Sequence, residues 1–319
     1  NPLVRRGVAY MHLTPSKLRG GWIMSDLAIS DPRSMVGRTL APLYQVLAFM
    51  KNRVESGHTK GVILGDKFTS LWLVHSVPRF PPVPDSSYPS TGMKYGQSFL
   101  CVSVQTSTLN QIGTQLKYNE PLIVYYNIPP EFDSELPNLV DVIRNKTSKI
   151  KKNIDFLLGR KFLSFAKSAM FNDDLYSGLV AEVLQSDLLV ESWTNGPGTL
   201  DSECTRNFQV RNIERLKFPI AKMSFTSHND HSKWTVAVAH KMHNSQDTKV
   251  ADYWVCVGDI NRAVSYVHSK IHTYALHLHL KVRLTILKCL SVCLLHLISV
   301  YHLHPLNKKK IRHFVENSQ

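Results

Sequence analysis

The strongest constraint on this chain is the length of its apolar runs. Gly61-Val-Ile-Leu, Ser70-Leu-Trp-Leu-Val-His, Ser98-Phe-Leu-Cys-Val-Ser-Val and Tyr253-Trp-Val-Cys-Val-Gly are short, rich in branched and aromatic residues, and separated by polar or Pro/Gly breaks. Runs of that length read as strands rather than helices. Between two of them, Pro78-Arg-Phe-Pro-Pro-Val-Pro cannot be a central strand, because proline lacks the N–H that a ladder needs, so it is a loop. Gly178-Leu-Val-Ala-Glu-Val-Leu and Phe162 to Met170 read as helices, and Lys-rich Arg144 to Asn153 as a surface linker or exposed helix. Strand-length runs thus alternate with short helical stretches along the chain.

With 319 residues and 43% hydrophobic composition, the chain can bury one large core or two smaller ones, and typical domain sizes favour two units. A boundary in the Lys-rich stretch gives a first unit at 1–145 and a second at 146–262. Beyond Arg262 the character changes: eight of the fifteen histidines fall at 263–319 and glycine disappears. That segment is expected to be a divergent, basic, His-rich tail, disordered or helical, and its abrupt onset suggests foreign sequence joined to the domain. Its apolar stretch Leu284 to Tyr301 is interrupted by Lys288 and His296, so membrane contact by the tail is not expected.

Lys and Arg exceed Asp and Glu by 14, half of it in the tail, which favours a polyanionic partner such as nucleic acid. Five cysteines show no Cys-x-x-Cys metal spacing and leave one unpaired at best. The sequon Asn145-Lys-Thr makes Asn145 a glycosylation candidate and hints at secretory traffic. The chain opens without Met and without an apolar leader, so either a signal peptide has been removed or the start is missing.

Chemistry concentrates in two short motifs. Gly57-His-Thr-Lys-Gly and Asp230-His-Ser-Lys-Trp each place an imidazole and an ammonium two residues apart, on one face of an extended strand. An ammonium neutralises charge building on a phosphate oxygen, and an imidazole attacks or protonates near its own pKa. Two facing half-sites supply both roles. One histidine attacks phosphorus to form a phosphohistidine, while the other protonates the leaving oxygen and then activates water. The lysines take the charge-neutralising part that Mg²⁺ plays elsewhere, so no metal or other cofactor is expected. Each motif is followed by a Trp that opens an apolar strand, Trp72 and Trp254, a weak internal echo of one half-site in two copies.

Longer blocks carry a resemblance. Gly57-His-Thr-Lys-Gly-Val with Leu71-Trp-Leu-Val-His-Ser-Val-Pro-Arg-Phe-Pro-Pro resembles the first signature of the deoxyribonuclease II family. Val36-Gly-Arg-Thr-Leu-Ala-Pro-Leu-Tyr, Tyr95-Gly-Gln-Ser-Phe-Leu-Cys-Val-Ser, Phe165-Ala-Lys, Asp173-Asp-Leu-Tyr-Ser-Gly, Asp230-His-Ser-Lys-Trp and Cys256-Val-Gly-Asp-Ile-Asn-Arg follow in that family's order, over roughly residues 8 to 262. The resemblance implies a phospholipase D-like α/β architecture of two pseudo-symmetric halves with mixed β-sheets flanked by helices. It also implies lysosomal or secreted DNA digestion at acid pH, leaving 3′-phosphate and 5′-hydroxyl ends without a divalent metal. His58, Lys60, His231 and Lys233 become the catalytic quartet, with His58 the preferred nucleophile. Asn261 becomes a phosphate-binding residue, with Ser76 and Asp66 as further candidates.

The chain departs from the family in having no cysteine before Cys101 and in replacing the glycine-rich C-terminal block with the His-rich tail, so the partners the family implies for Cys101, Cys204 and Cys256 are missing unless Cys289 and Cys293 stand in. Two other function classes fit the same residues: a catalytically degenerate secreted binder of DNA or protein, and a phospholipase D-type phosphodiesterase. Asp173-Asp174 is a weak metal candidate against a capping role, and Trp72, Trp254, Tyr125 and Tyr126 are base-stacking candidates, with core packing favoured for the two tryptophans. Oligomeric state is left open.

Overall fold

The computed structural model describes residues 1–14, 21–45, 59–82, 87–146, 152–157, 162–218, 223–238, 254–268, 273–279 and 296–298. Two mixed sheets dominate. The first is built from β1 (Met11–Leu13), β2 (Ile23–Met24), β3 (Gly61–Gly65), β4 (Thr69–His75) and β5 (Ser98–Gln105). The second uses β6 (Lys152–Leu157), β7 (Phe162–Lys167), β8 (Asp187–Glu191) and β9 (Val210–Asn212). A hairpin, β10 (Arg215–Phe218) with β11 (Met223–Thr226), precedes β12 (Lys233–Val238), β13 (Trp254–Gly258) and β14 (Thr273–His279) of the second sheet, and β15 (His296–Ile298) returns to the first. The spatial orders are β2-β1-β15-β5-β4-β3 and β6-β7-β14-β13-β12-β8-β9.

Each sheet contains the same three-strand antiparallel meander, β3-β4-β5 in one and β12-β13-β14 in the other. In both, a lysine of a His-x-Lys motif stands at the start of the first strand and a polar turn follows the second. The segment 263–319 contributes a short helix, Val264–His268, and the inserted strands β14 and β15, each paired on both sides; most of it lies outside the described residues.

Alternation along the strands explains how the sheets stack. Trp72, Val74, Leu100 and Val102 face a central core, whereas Leu73 and Phe99 face an outer one with Val36 and Leu40. In the second sheet Trp234, Val236, Val255 and Val257 join the same central core, and Trp254, Cys256, Leu188 and Val190 pack outward against Leu175, Tyr176 and Leu179. The helix Leu109–Asn119 adds Leu109, Ile112 and Leu116 to the shared core. Trp72 and Trp254 are therefore core residues, Tyr125 is half-buried and Tyr126 is exposed.

One expected helix is corrected. Phe162–Lys167 is a strand, buried along its whole length, because Leu163 and Phe165 face the outer core while Phe162 and Ala166 face the central one, a period of two rather than 3.6. The expected helix at 178–184 is present, as a π turn over Tyr176–Val180 that runs into Ala181–Leu184. Residues 78–82 of the proline-rich segment form no strand.

Candidate active site

Lys60 immediately precedes β3 and Lys233 opens β12, so both lie at the sheet ends where β4 and β13 finish. The His75 amide donates to the Lys60 carbonyl across the first meander (3.3 Å), and Lys233 pairs with Gly258 across the second. One residue past Gly258, Asp259 is 2% exposed and lies between the two lysines. Its Oδ2 is 2.5 Å from Lys60 Nζ and its Oδ1 is 3.7 Å from Lys233 Nζ. Lys233 is wholly buried, and burial first, opposed by Asp259 and aided by Lys60, pulls its pKa down to about 7.

His231 is fixed from the other half of the molecule. Its backbone N–H donates to the Gly96 carbonyl (2.8 Å), and its Nδ1 lies 2.9 Å from the Ser76 carbonyl. A carbonyl only accepts, so the Ser76 contact favours a proton on Nδ1, while the Lys233 ammonium near the same nitrogen favours a lone pair there. Lys233 Nζ stands 3.1 Å from Nδ1 and donates to the His231 carbonyl (2.6 Å). Burial, then the neighbouring Lys233 charge, lowers the His231 pKa to about 3, with Asp259 acting in the opposite sense. Trp193 walls the ring edge-on, with centroids 5.0 Å apart.

Behind this front lie buried acids. Asp230 accepts the Ser232 amide (2.9 Å) and Glu191 accepts the Ser227 hydroxyl (3.0 Å); burial raises both carboxyl pKa values, and the nearby Asp230 charge raises that of Glu191 further. His75 is fully buried, stacked on Phe99, and burial lowers its pKa to about 3.

Of the expected quartet, Lys60, His231 and Lys233 converge, and His58 lies outside the described residues. Ser76 contributes its carbonyl to His231, while its buried hydroxyl donates to Gln97 Oε1 (2.6 Å) and accepts the Ser98 amide (2.9 Å). Asp66 is at the opposite end of β3 from Lys60, where Oδ1 caps the Phe68 and Thr69 amides. Asn261 follows Asp259 and donates to the Tyr266 hydroxyl (3.1 Å). Asn145 is exposed in the turn after the helix Pro137–Ile143. Asp173 pairs with Arg206 through both oxygens at 2.8 Å, and no group of three His, Cys, Asp or Glu side chains among the described residues is placed to hold a metal. Cys101, Cys204 and Cys256 are free thiols.

Sequence reasoning missed Asp259 and Trp193. The signal for Asp259 was present: an acid closing a buried strand, in the Gly258-Asp-Ile-Asn block already singled out for Asn261. Nothing local marks Trp193, whose ring neighbours, Tyr95 and His231, are distant from it in the chain.

A family model described as deoxyribonuclease II matches residues 1–276. This chain belongs to the deoxyribonuclease II family. Its match extends past Arg262 and takes in the first residues of β14. Among curated deoxyribonuclease II relatives, the chain is 36% identical over 288 residues to mouse deoxyribonuclease-2-alpha, covering 82% of this chain and 78% of that protein. It is 34% identical to rat deoxyribonuclease-2-beta over 81% of this chain and 75% of that protein. It is also 33% identical to cell-death-related nuclease 7 of Caenorhabditis elegans, over 74% and 67%.

In this deoxyribonuclease II chain the turn carrying Asp259 and Asn261 is held from several elements. Tyr176 donates its hydroxyl to the Ile260 carbonyl (3.0 Å), and buried Arg262 spans Asp174 Oδ2 (3.1 Å) and Asn212 Oδ1 (2.5 Å). Lys167 Nζ donates to the Tyr266 carbonyl (2.7 Å), fixing the ring that receives Asn261. Such a network places a carboxylate between two ammoniums without leaving the turn free to collapse.

Proposed function

We propose that this chain is an acid endodeoxyribonuclease that hydrolyses DNA phosphodiesters to 3′-phosphate and 5′-hydroxyl ends through a phosphohistidine, without a divalent metal. The observation that carries this reading is the convergence of Lys60, Lys233 and His231, from two different sheets, around the single carboxylate of Asp259. A phosphodiester entering there meets two ammoniums, and Asp259 keeps them from repelling one another before it arrives. His58 is the attacking nitrogen: its bond to phosphorus forms as the bond to the 5′ oxygen breaks, and the proton on His231 Nε2 goes to that oxygen. Neutral His231 then takes a proton from water, whose oxygen displaces His58 and leaves the 3′-phosphate.

Acid conditions follow from the setting of His231. A ring whose pKa is lowered by burial and by Lys233 is protonated only in acid, and the charge of the bound phosphate raises that pKa toward the working range. Activity is expected between about pH 4.5 and 6. The matching meanders, each with its lysine at one strand start, support a phospholipase D-like arrangement of two halves, 1–145 and 146–262, with β14 of the following segment completing the second meander. Asn261, two residues past Asp259, takes a phosphate oxygen in this reading. Lysosomal or secreted operation, with glycosylation at Asn145, belongs to the same reading.

Supercoiled plasmid incubated with the chain at pH 5 in EDTA should be nicked, and His231→Ala should abolish nicking. Intact plasmid with folded wild-type chain would overturn the proposal, as would cleavage that requires Mg²⁺ and peaks at pH 8.

A further inference from the structure

Trp193 and Tyr95 belong to none of the three buried cores, yet they meet beside the reacting group. Trp193, two residues past β8, is 5.0 Å from the His231 ring, and Tyr95, ahead of β5, meets Trp193 edge-on at 4.8 Å and 82°. Both are half-buried, and exposed Lys94 places its ammonium 5.1 Å from the Tyr95 ring centroid. The series runs imidazole, indole, phenol, ammonium, and its members come from both sheets.

Core packing does not account for two large aromatic rings that retain solvent exposure beside His231 and its neighbouring lysine. A polynucleotide presents a matching series: a phosphate, a flat base, then the next phosphate. Base–aromatic stacking tolerates any base, because every base has a π face, and an ammonium beyond the rings suits the neighbouring phosphate. We propose that Trp193 and Tyr95 form a subsite for the nucleobase adjacent to the phosphodiester at His231, with Lys94 receiving the next phosphate along the strand. This inference rests on the nuclease reading, and it adds that the base beside the cut bond is gripped by stacking.

The test uses end-labelled thymidine oligonucleotides, intact or with one abasic tetrahydrofuran position, at pH 5 in EDTA. Wild type should cut the bonds flanking the abasic position on the order of tenfold more slowly than the same bonds in the intact strand. Trp193→Ala should cut both strands alike, and Trp193→Phe should restore part of the discrimination. Binding is read separately in the His58→Ala chain, where tryptophan fluorescence should be quenched by the intact strand and much less when Trp193 is also replaced by Phe. Lys94→Gln, on an exposed side chain, should lower the slope of log affinity against log salt by about one.

Uniform slowing at every bond in Trp193→Ala, with no abasic effect in wild type, would make Trp193 a positioning residue for His231 and overturn the subsite. Quenching that depends on Trp193 without any cleavage would keep the subsite and remove the nuclease reading. Cleavage with neither quenching nor abasic discrimination would remove the subsite alone. An unchanged salt slope in Lys94→Gln would overturn the assignment of the neighbouring phosphate to that lysine.

Discussion

His75 and His231 stand as neutral imidazoles beside two ammoniums, and this makes folding itself sensitive to acid. Each has a folded pKa near 3 against an ordinary value of 6.5, so the unfolded chain binds more protons between those limits. The stability they contribute is present above about pH 6.5 and is lost as pH falls toward 3, by at most ~1.4 kcal/mol per pH unit for each group. Glu191 and Asp230 work in the other direction. Burial raises their folded pKa values, so their contribution is complete below the ordinary carboxylate range and is lost as pH rises through the raised values. An acid-working enzyme thus holds buried carboxyls that favour folding in acid next to imidazoles that oppose it. Replacing His75 by Phe, a ring of similar shape between Phe80 and Phe99, is expected to reduce the loss of urea midpoint between pH 6 and pH 4. An undiminished slope in that variant would show that His75 is not the group titrating.

At the scale of elements, the strand starts carry the lysines and the turn after β13 carries their counter-charge. That turn follows a strand buried at every position, and its geometry depends on Arg262 reaching Asp174 and Asn212 at once. Lysine retains the charge but has a single nitrogen and cannot span both partners. Arg262→Lys should therefore lower stability by about 3 kcal/mol in urea titration and reduce plasmid nicking along with it. An unaltered midpoint would mean that Tyr176 and Lys167 hold the turn without it. Strands were the most legible elements, because β4, β5 and β13 are apolar runs of strand length. Phe162–Lys167 misled for a physical reason: a strand buried on both faces lacks the polar alternation that separates strand from helix, and the small Ser164 and Ala166 within it fit either.

The whole molecule is organised around one core shared by both sheets, in which Trp72 and Leu100 of the first meet Trp234 and Val257 of the second along with the helix Leu109–Asn119. Two units that share their main core should not melt apart. Circular dichroism and tryptophan fluorescence are expected to report one coincident urea transition, since tryptophans sit in both sheets; two separated transitions would show that each half is stable alone. The sequence by itself determined the family, the strand-rich α/β class and three of the converging residues, Lys60, His231 and Lys233, because strand length, residue type and motif spacing are local properties. Only the tertiary structure decided that both lysines share Asp259, that the Ser76 carbonyl meets the His231 ring, and that Trp193 packs between that ring and Tyr95. Those relations join residues far apart in the chain, and no local pattern encodes a contact whose partners meet only when two sheets pack face to face.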